Sequence, residues 1–371
     1  MAMFDKSLNF YPLNTMAITK RLYGSIVFCC LLFLAGYFFL HFSSVVSFLG
    51  FNNMYVSPVS PSQFLYGVNM SGGEFGEKNL PGTLYTDYIY PHDNLDYRYF
   101  NAKHISLIRL PIRWERLQPT AFGSLSTTDV NEIKTVLQTA TLYHMQVILD
   151  IHNYGRYYDT PLTRDDTSLA DLWTKIAAVF KDTEGLYGYE LMNEPHDLVG
   201  DGDTWSAIAQ NVTTAIRTVD KNNVIIIPGY NWQNAQDWSK NNKELLIKDP
   251  QNNLIYSAHI YFDSTHQGVY AKSFTDDHQT TQIGVADSQD FRNWLAINNV
   301  KGMFTEFGVP GDDSQWLQTM DAFLQTITTD THVIGAVYWS AGPWWGNYPL
   351  SIEPVNGADR PQMEILSKYS L

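Results

Sequence analysis

Eight short apolar or β-branched runs recur from residue 64 onward, with helix-compatible segments between them. Nothing else in the 371 residues restricts the possible folds as strongly. The runs cover 64–70, 104–111, 146–152, 188–193, 223–228, 254–261, 302–306 and 334–339. Between the second and third, 128–143 places Val130, Ile133, Val136, Leu137 and Ala140 on one stripe at helical spacing. Asp129 and Asn131 near its start suit a helix N-terminus. Segments 171–180, 205–219, 287–296 and 316–327 behave similarly. Eight β-then-α units predict an α/β fold with a parallel sheet and helices outside, and eight is the number that closes into a (β/α)8 TIM barrel. An open doubly wound sheet is the competing arrangement, and it usually carries a G-x-G-x-x-G turn after its first strand. Gly72-Gly73 follow the first run without that pattern, which favours the barrel.

A closed barrel gathers the carboxyl ends of its strands at one mouth. The residues at those ends are polar or aromatic: Arg109, His152, Asn193 with Glu194, His259 with Tyr261, Glu306, and Trp339. Glu194 and Glu306 each stand where an apolar run gives way to a turn. A carboxylate in that position is poorly solvated and held in a fixed direction. Two of them in one pocket form the acid and nucleophile pair that cleaves glycosidic bonds.

Composition narrows the partners. Hydrophobic residues make up 44% and charged residues only 17%, enough apolar surface for a large core. The 23 Tyr and 10 Trp fill cores, and they also offer flat faces to the C–H surfaces of sugars. A formal charge of −14 argues against nucleic acid and suits a neutral substrate. The two cysteines, Cys29 and Cys30, are adjacent near the N-terminus, so no thiolate metal site or Cys nucleophile is expected beyond them. His92, His104, His144 and His152 lack the close paired spacing of a zinc motif, and His259 and His266 lack an obvious third ligand. No Gly-x-Ser-x-Gly is present. Neither a metal nor another cofactor is expected.

Lys20-Arg21 precede residues 22–42, in which only His41 could carry charge near neutral pH. That run is longer than an ordinary signal core and long enough to span a bilayer, and the basic pair predicts a cytoplasmic N-terminus with an exported body. A cleaved signal and a retained anchor both fit. Cleavage is marked only weakly, at Val45-Val46-Ser47. The Ser/Pro stretch 57–62 reads as a spacer. The expected organisation is a signal or anchor region at 1–50, a linker at 51–63 and a barrel at 64–371. Membrane contact is expected through the N-terminal segment only, and the chain is expected to act as an extracytoplasmic monomer.

The motifs resemble one family. Asn193-Glu194-Pro195, His259-Ile260-Tyr261, Thr305-Glu306-Phe307-Gly308, Ile108-Arg109-Leu110-Pro111, Trp114-Glu115-Arg116-Leu117-Gln118-Pro119 and Leu149-Asp150-Ile151-His152-Asn153-Tyr154 resemble glycoside hydrolase family 5. The segment from Trp339 to Gly346 resembles its endo-β-1,4-glucanase subgroup. The likeness spans roughly residues 64 to 371 in strand order. It implies a (β/α)8 barrel, retaining hydrolysis of β-1,4-glucan, and a β-glucan polysaccharide or oligosaccharide as partner. It further implies Glu194 as acid/base, Glu306 as nucleophile, and Asn193 on the sugar 2-hydroxyl. His259 would position the acid, His152 would touch the sugar, and Trp339 would lie beneath it. Trp232 is expected as a platform on the leaving-group side, with Trp344 and Trp345 as weaker aromatic candidates. A β-mannanase or mixed-linkage glucanase would share this centre. A non-catalytic glycan-binding barrel is the reading from another class.

Overall fold

The computed structural model describes residues 64–370, and in it the eight runs become eight parallel strands closed into one barrel. They are β1 (Leu65–Met70), β2 (Leu107–Ile112), β3 (Gln146–Ile151), β4 (Leu186–Glu190), β5 (Val224–Pro228), β6 (Leu254–Ile260), β7 (Gly302–Phe307) and β8 (Val333–Ala341). Each pairs with its neighbours in sequence, and β8 closes on β1 through Leu65 opposite Gly335 and Val68 opposite Tyr338. The strands are buried almost throughout because helices cover the outside while side chains fill the inside. Continuous apolar runs, rather than alternating ones, follow from that double burial.

The outer layer contains α1 (Asn94–Ala102), α2 (Thr127–Leu142), α3 (Ser168–Phe180), α4 (Asp201–Val219), α5 (Gln289–Asn298), α6 (Ser314–Ile327) and α7 (Pro361–Leu366), with shorter turns between. Ser126 caps α2 by accepting from the Asp129 N–H, and α2 buries Ile133, Val136, Leu137 and Ala140. Two helices secure the following strand's exit in the same way. Trp173 of α3 donates its indole N–H to the Leu191 carbonyl at 2.9 Å, just past β4. Trp205 of α4 donates to the Pro228 carbonyl at 2.7 Å, at the end of β5. Both indoles are fully buried, so each carbonyl that leaves the strand ladder keeps a partner.

Several expected boundaries move. β2 begins at Leu107 because His104 takes a left-handed φ of 58° in the turn that follows α1. β4 stops at Glu190 instead of running to 193, so Asn193 and Glu194 stand in the loop beyond it. There the ladder gives way to separate contacts, with Asn193 N–H donating to the Ile151 carbonyl at 2.7 Å. The single helix expected at 287–296 is two, Ile283–Asp287 and α5. The segment 22–42 and the spacer lie outside the described residues. Among the described residues no helix is long and apolar enough to cross a membrane.

Candidate active site

Arg109 stands at the centre of β2 with no exposed surface. Its Nε donates to Glu190 Oε2 at 2.5 Å, and Nη1 donates to Asn69 Oδ1 and Glu306 Oε1, both at 2.8 Å. Nη2 donates to Asn193 Oδ1 at 2.8 Å and lies 3.0 Å from Asp150 Oδ2. One planar group thereby fixes side chains from β1, β3, β4, β7 and the loop after β4. Burial works against its charge, yet Asp150, Glu190 and Glu306 hold its pKa above the ordinary value. Glu190 is equally buried and also accepts from Ser257 Oγ at 2.7 Å, Thr305 Oγ1 at 2.9 Å and Gln233 Nε2 at 3.1 Å. A buried carboxylate with that many donors is a structural anchor for the layer beneath the mouth.

Above this layer sit Glu194 and Glu306. One carboxylate oxygen of each, and a ring nitrogen of His259, lie within 4.8 Å of one another. Glu306 ends β7 and receives a donor on each oxygen, Arg109 Nη1 on Oε1 and the Tyr261 hydroxyl on Oε2, both at 2.8 Å. Glu194 has a left-handed φ of 44°, and its N–H is held by Gln233 Oε1 at 2.8 Å. Its side chain keeps 20% of its surface exposed. Burial pushes the Glu194 carboxyl well above the usual range, and the Glu306 charge adds to that. Burial also raises Glu306, to about 8, while Arg109 and the Tyr261 hydroxyl pull it down. With both its oxygens already accepting, Glu306 is the member that holds the charge. Glu194 keeps the proton.

His259 Nδ1 lies 2.9 Å from Glu194 Oε1 and 3.5 Å from Glu306 Oε2. Burial holds this imidazole well below its ordinary pKa, so it is neutral. Its Nε2 is buried without a protein partner. An unpaired acceptor costs less than an unpaired N–H, which places the proton on Nδ1, toward Glu194. His152 is fixed by Asp150 at 2.8 Å, kept neutral by burial at about 3, and stacked on Trp339 with ring centres 5.6 Å apart and planes at 16°. Asn193 Oδ1 is committed to Arg109, which directs the other end of the amide elsewhere. Trp232, 43% exposed, lines a cleft of about 560 Å³ together with Glu194, His259, Tyr261, Gln236 and His266. Trp345 packs edge-on to Trp339 at 5.9 Å, whereas Trp344 is 42% exposed.

All nine expected site residues therefore surround one mouth. Sequence reasoning missed the layer that holds them: Asn69, Asp150, Glu190 and Gln233. Asn69 and Glu190 sit within strand runs, where a lone polar residue was the available signal. Glu194, His259 and Glu306 are also the described residues whose donor atoms approach closely enough for a cation. Both Glu306 oxygens are already engaged, and Arg109 supplies the neighbouring positive charge.

Residues 68–344 match the family model described as Cellulase (glycosyl hydrolase family 5). The chain belongs to glycosyl hydrolase family 5. This family 5 chain is 31% identical over 320 residues to endo-beta-1,4-glucanase A of Emericella nidulans, covering 84% of its own length and 94% of the relative. A solved structure of Pseudomonas stutzeri endoglucanase Cel5A in complex with cellobiose superimposes with a TM-score of 0.78 at 40% identity, over 83% of this chain and 92% of that one. Another, the endo-beta-1,4-glucanase Xac0029 of Xanthomonas axonopodis pv. citri, gives 0.77 at 33% identity, over 83% and 98%. The chain is a glycoside hydrolase with the barrel of that family.

Proposed function

We propose that this hydrolase is a retaining endo-β-1,4-glucanase in which Glu306 is the nucleophile and Glu194 the acid/base. The observation that carries the reading is the carboxylate spacing. Retention needs the two groups roughly 5–5.5 Å apart, whereas inversion needs about 6.5–9.5 Å to admit a water. One oxygen of each lies within 4.8 Å of the other, a closest approach between single atoms that sits with the retaining arrangement. The direction of the cut, inside a β-1,4-glucan chain, is supported by the names of the relatives and by the open cleft.

In the first step a Glu306 oxygen bonds to the anomeric carbon as the glycosidic C–O bond breaks, and the Glu194 proton passes to the departing oxygen. The sugar is left as an ester on Glu306. That ester carries no charge, so Glu194 gives up its proton more readily and remains ionised. It then takes a proton from water, whose oxygen attacks the same carbon and frees Glu306. Arg109 and Tyr261 hold Glu306 in its attacking direction. Asn193 is placed to meet the sugar 2-hydroxyl, His259 to orient Glu194, and His152 with Trp339 to carry the sugar before the cut. Export through the 22–42 segment, action outside the cytoplasm and a monomeric state complete the proposal.

The test is Glu194→Gln and Glu306→Gln, assayed on carboxymethyl cellulose, mannan, lichenan and xyloglucan. Each variant is expected to lose turnover by orders of magnitude with an unchanged circular dichroism spectrum. Near wild-type rates in either would sink the assignment. Cleavage of mannan without cleavage of β-1,4-glucan would move the specificity elsewhere in the family.

A further inference from the structure

The loop after β5 holds three consecutive left-handed residues, Asn231 (φ 62°), Trp232 (φ 56°) and Gln233 (φ 53°). Such conformations persist only where the surroundings over-determine them. Gln233 is buried between Glu190, Ser257 and the Glu194 N–H. Trp232 has a different support. Its indole stacks on His196, with ring centres 4.2 Å apart and planes at 14°. Trp232 lines the cleft and His196 does not, so the imidazole backs the face turned away from it.

Both nitrogens of that imidazole are tied. Nδ1 lies 2.8 Å from the Glu194 carbonyl oxygen, and Nε2 lies 3.2 Å from Arg156 Nη1. A carbonyl only accepts and a guanidinium only donates. The two neighbours therefore demand one form, the neutral ring with its proton on Nδ1. Arg156 is anchored in turn on the carbonyls of Tyr154 at 2.6 Å and His196 at 3.2 Å. The connection crosses three successive loops, after β3, β4 and β5.

We infer that His196 is a positioning residue for the leaving group, tying the Trp232 platform to the backbone of Glu194 so that the departing sugar and the proton donor keep one spacing. This rests on the reading of Glu194 as acid/base and Trp232 as the leaving-side platform. A sugar stacked on an unbacked indole would present its glycosidic oxygen off the line of the Glu194 proton. Misplacement by about 1 Å can cost on the order of a hundredfold in rate.

The experiment compares two substrates of the full-length enzyme. Cellopentaose needs a platform and a proton for its leaving sugar, whereas 2,4-dinitrophenyl β-cellobioside releases a phenolate that needs neither. For His196→Ala, kcat/KM on cellopentaose is expected to fall roughly 10- to 100-fold, with kcat lowered and KM raised. The aryl substrate is expected to stay within about twofold of wild type. His196→Phe keeps a flat ring without the nitrogens, and should recover KM on cellopentaose more than kcat. Equal losses on both substrates, or no loss on either, overturn the inference. A wild-type enzyme that cleaves neither overturns the underlying assignment, and the inference with it.

Discussion

At the scale of single residues, Arg109 does what no other cation could do in its place. Its fork reaches Asn69, Glu190, Glu306 and Asn193 at once, where a lysine ammonium would offer three donors from one point. Arg109→Lys keeps the charge and loses the geometry. Breaking a buried ion network typically costs about 3–5 kcal/mol, and loss of the Glu306 contact loosens the attacking carboxylate. The expected result is a destabilisation of that order in urea unfolding, with turnover lowered at least about a hundredfold. Wild-type stability in this variant would show that the fork is not what holds the layer together. The two glutamates make a second test. Activity needs Glu306 ionised and Glu194 protonated, so kcat/KM should be bell-shaped in pH, with limbs that belong to the pair. Gln cannot ionise. Glu194→Gln, followed on an aryl cellobioside that needs no acid, should keep the acid limb and lose the alkaline one. An alkaline limb that persists would place that titration on another group.

At the scale of elements, helices that look merely outward-facing set the exits of the strands. Trp173→Phe retains the ring volume class but removes the N–H that pairs the Leu191 carbonyl, two residues before Asn193. An orphaned buried acceptor costs roughly 1–3 kcal/mol. That destabilisation should appear in thermal unfolding, with a fall in kcat as the loop bearing Asn193 and Glu194 loosens. An unchanged melting temperature would deny the tie any role. The same interplay explains what could be read from sequence. All eight strands were legible because double burial writes itself as continuous apolar runs, and α2 was legible from its stripe. Strand ends were less so: the exit of β4 is decided by Trp173 and by the backbone turn at Glu194, and neither leaves a local mark. The ribbon pairing Arg156–Tyr157 with Thr160–Pro161 was missed because two-residue strands carry no periodicity. The glutamates, Arg109 and His259 stood out as polar residues at strand ends. His196 did not, because its meaning comes from the Trp232 ring, which only the fold brings to 4.2 Å from the neighbouring loop.

At the scale of the whole molecule, the site sets a direction for stability against pH. Glu194 is raised well above the usual range by burial and then by the Glu306 charge, and Glu353 is raised to about 8 by burial first and then by Asp96 beside it. Unfolded, such carboxyls would titrate near about 4.3. Above about pH 4.3 the native protein holds protons that the unfolded chain has released, so the stability these carboxyls contribute is complete below that pH and is lost as pH rises through their native values. Asp220 and Asp249 are held below their ordinary values by hydrogen bonds that outweigh their burial, and their contribution is lost only on the acid side. A formal charge of −14 adds self-repulsion as the carboxyls ionise. The melting temperature of the full chain should therefore fall steadily between pH 5 and pH 8. Glu194→Gln, neutral throughout, should flatten that slope and melt above wild type at pH 8 while having lost its activity on carboxymethyl cellulose. A wild-type melting temperature that rises over this interval, or a variant that follows the same slope, would separate the buried carboxyls from the stability of the barrel.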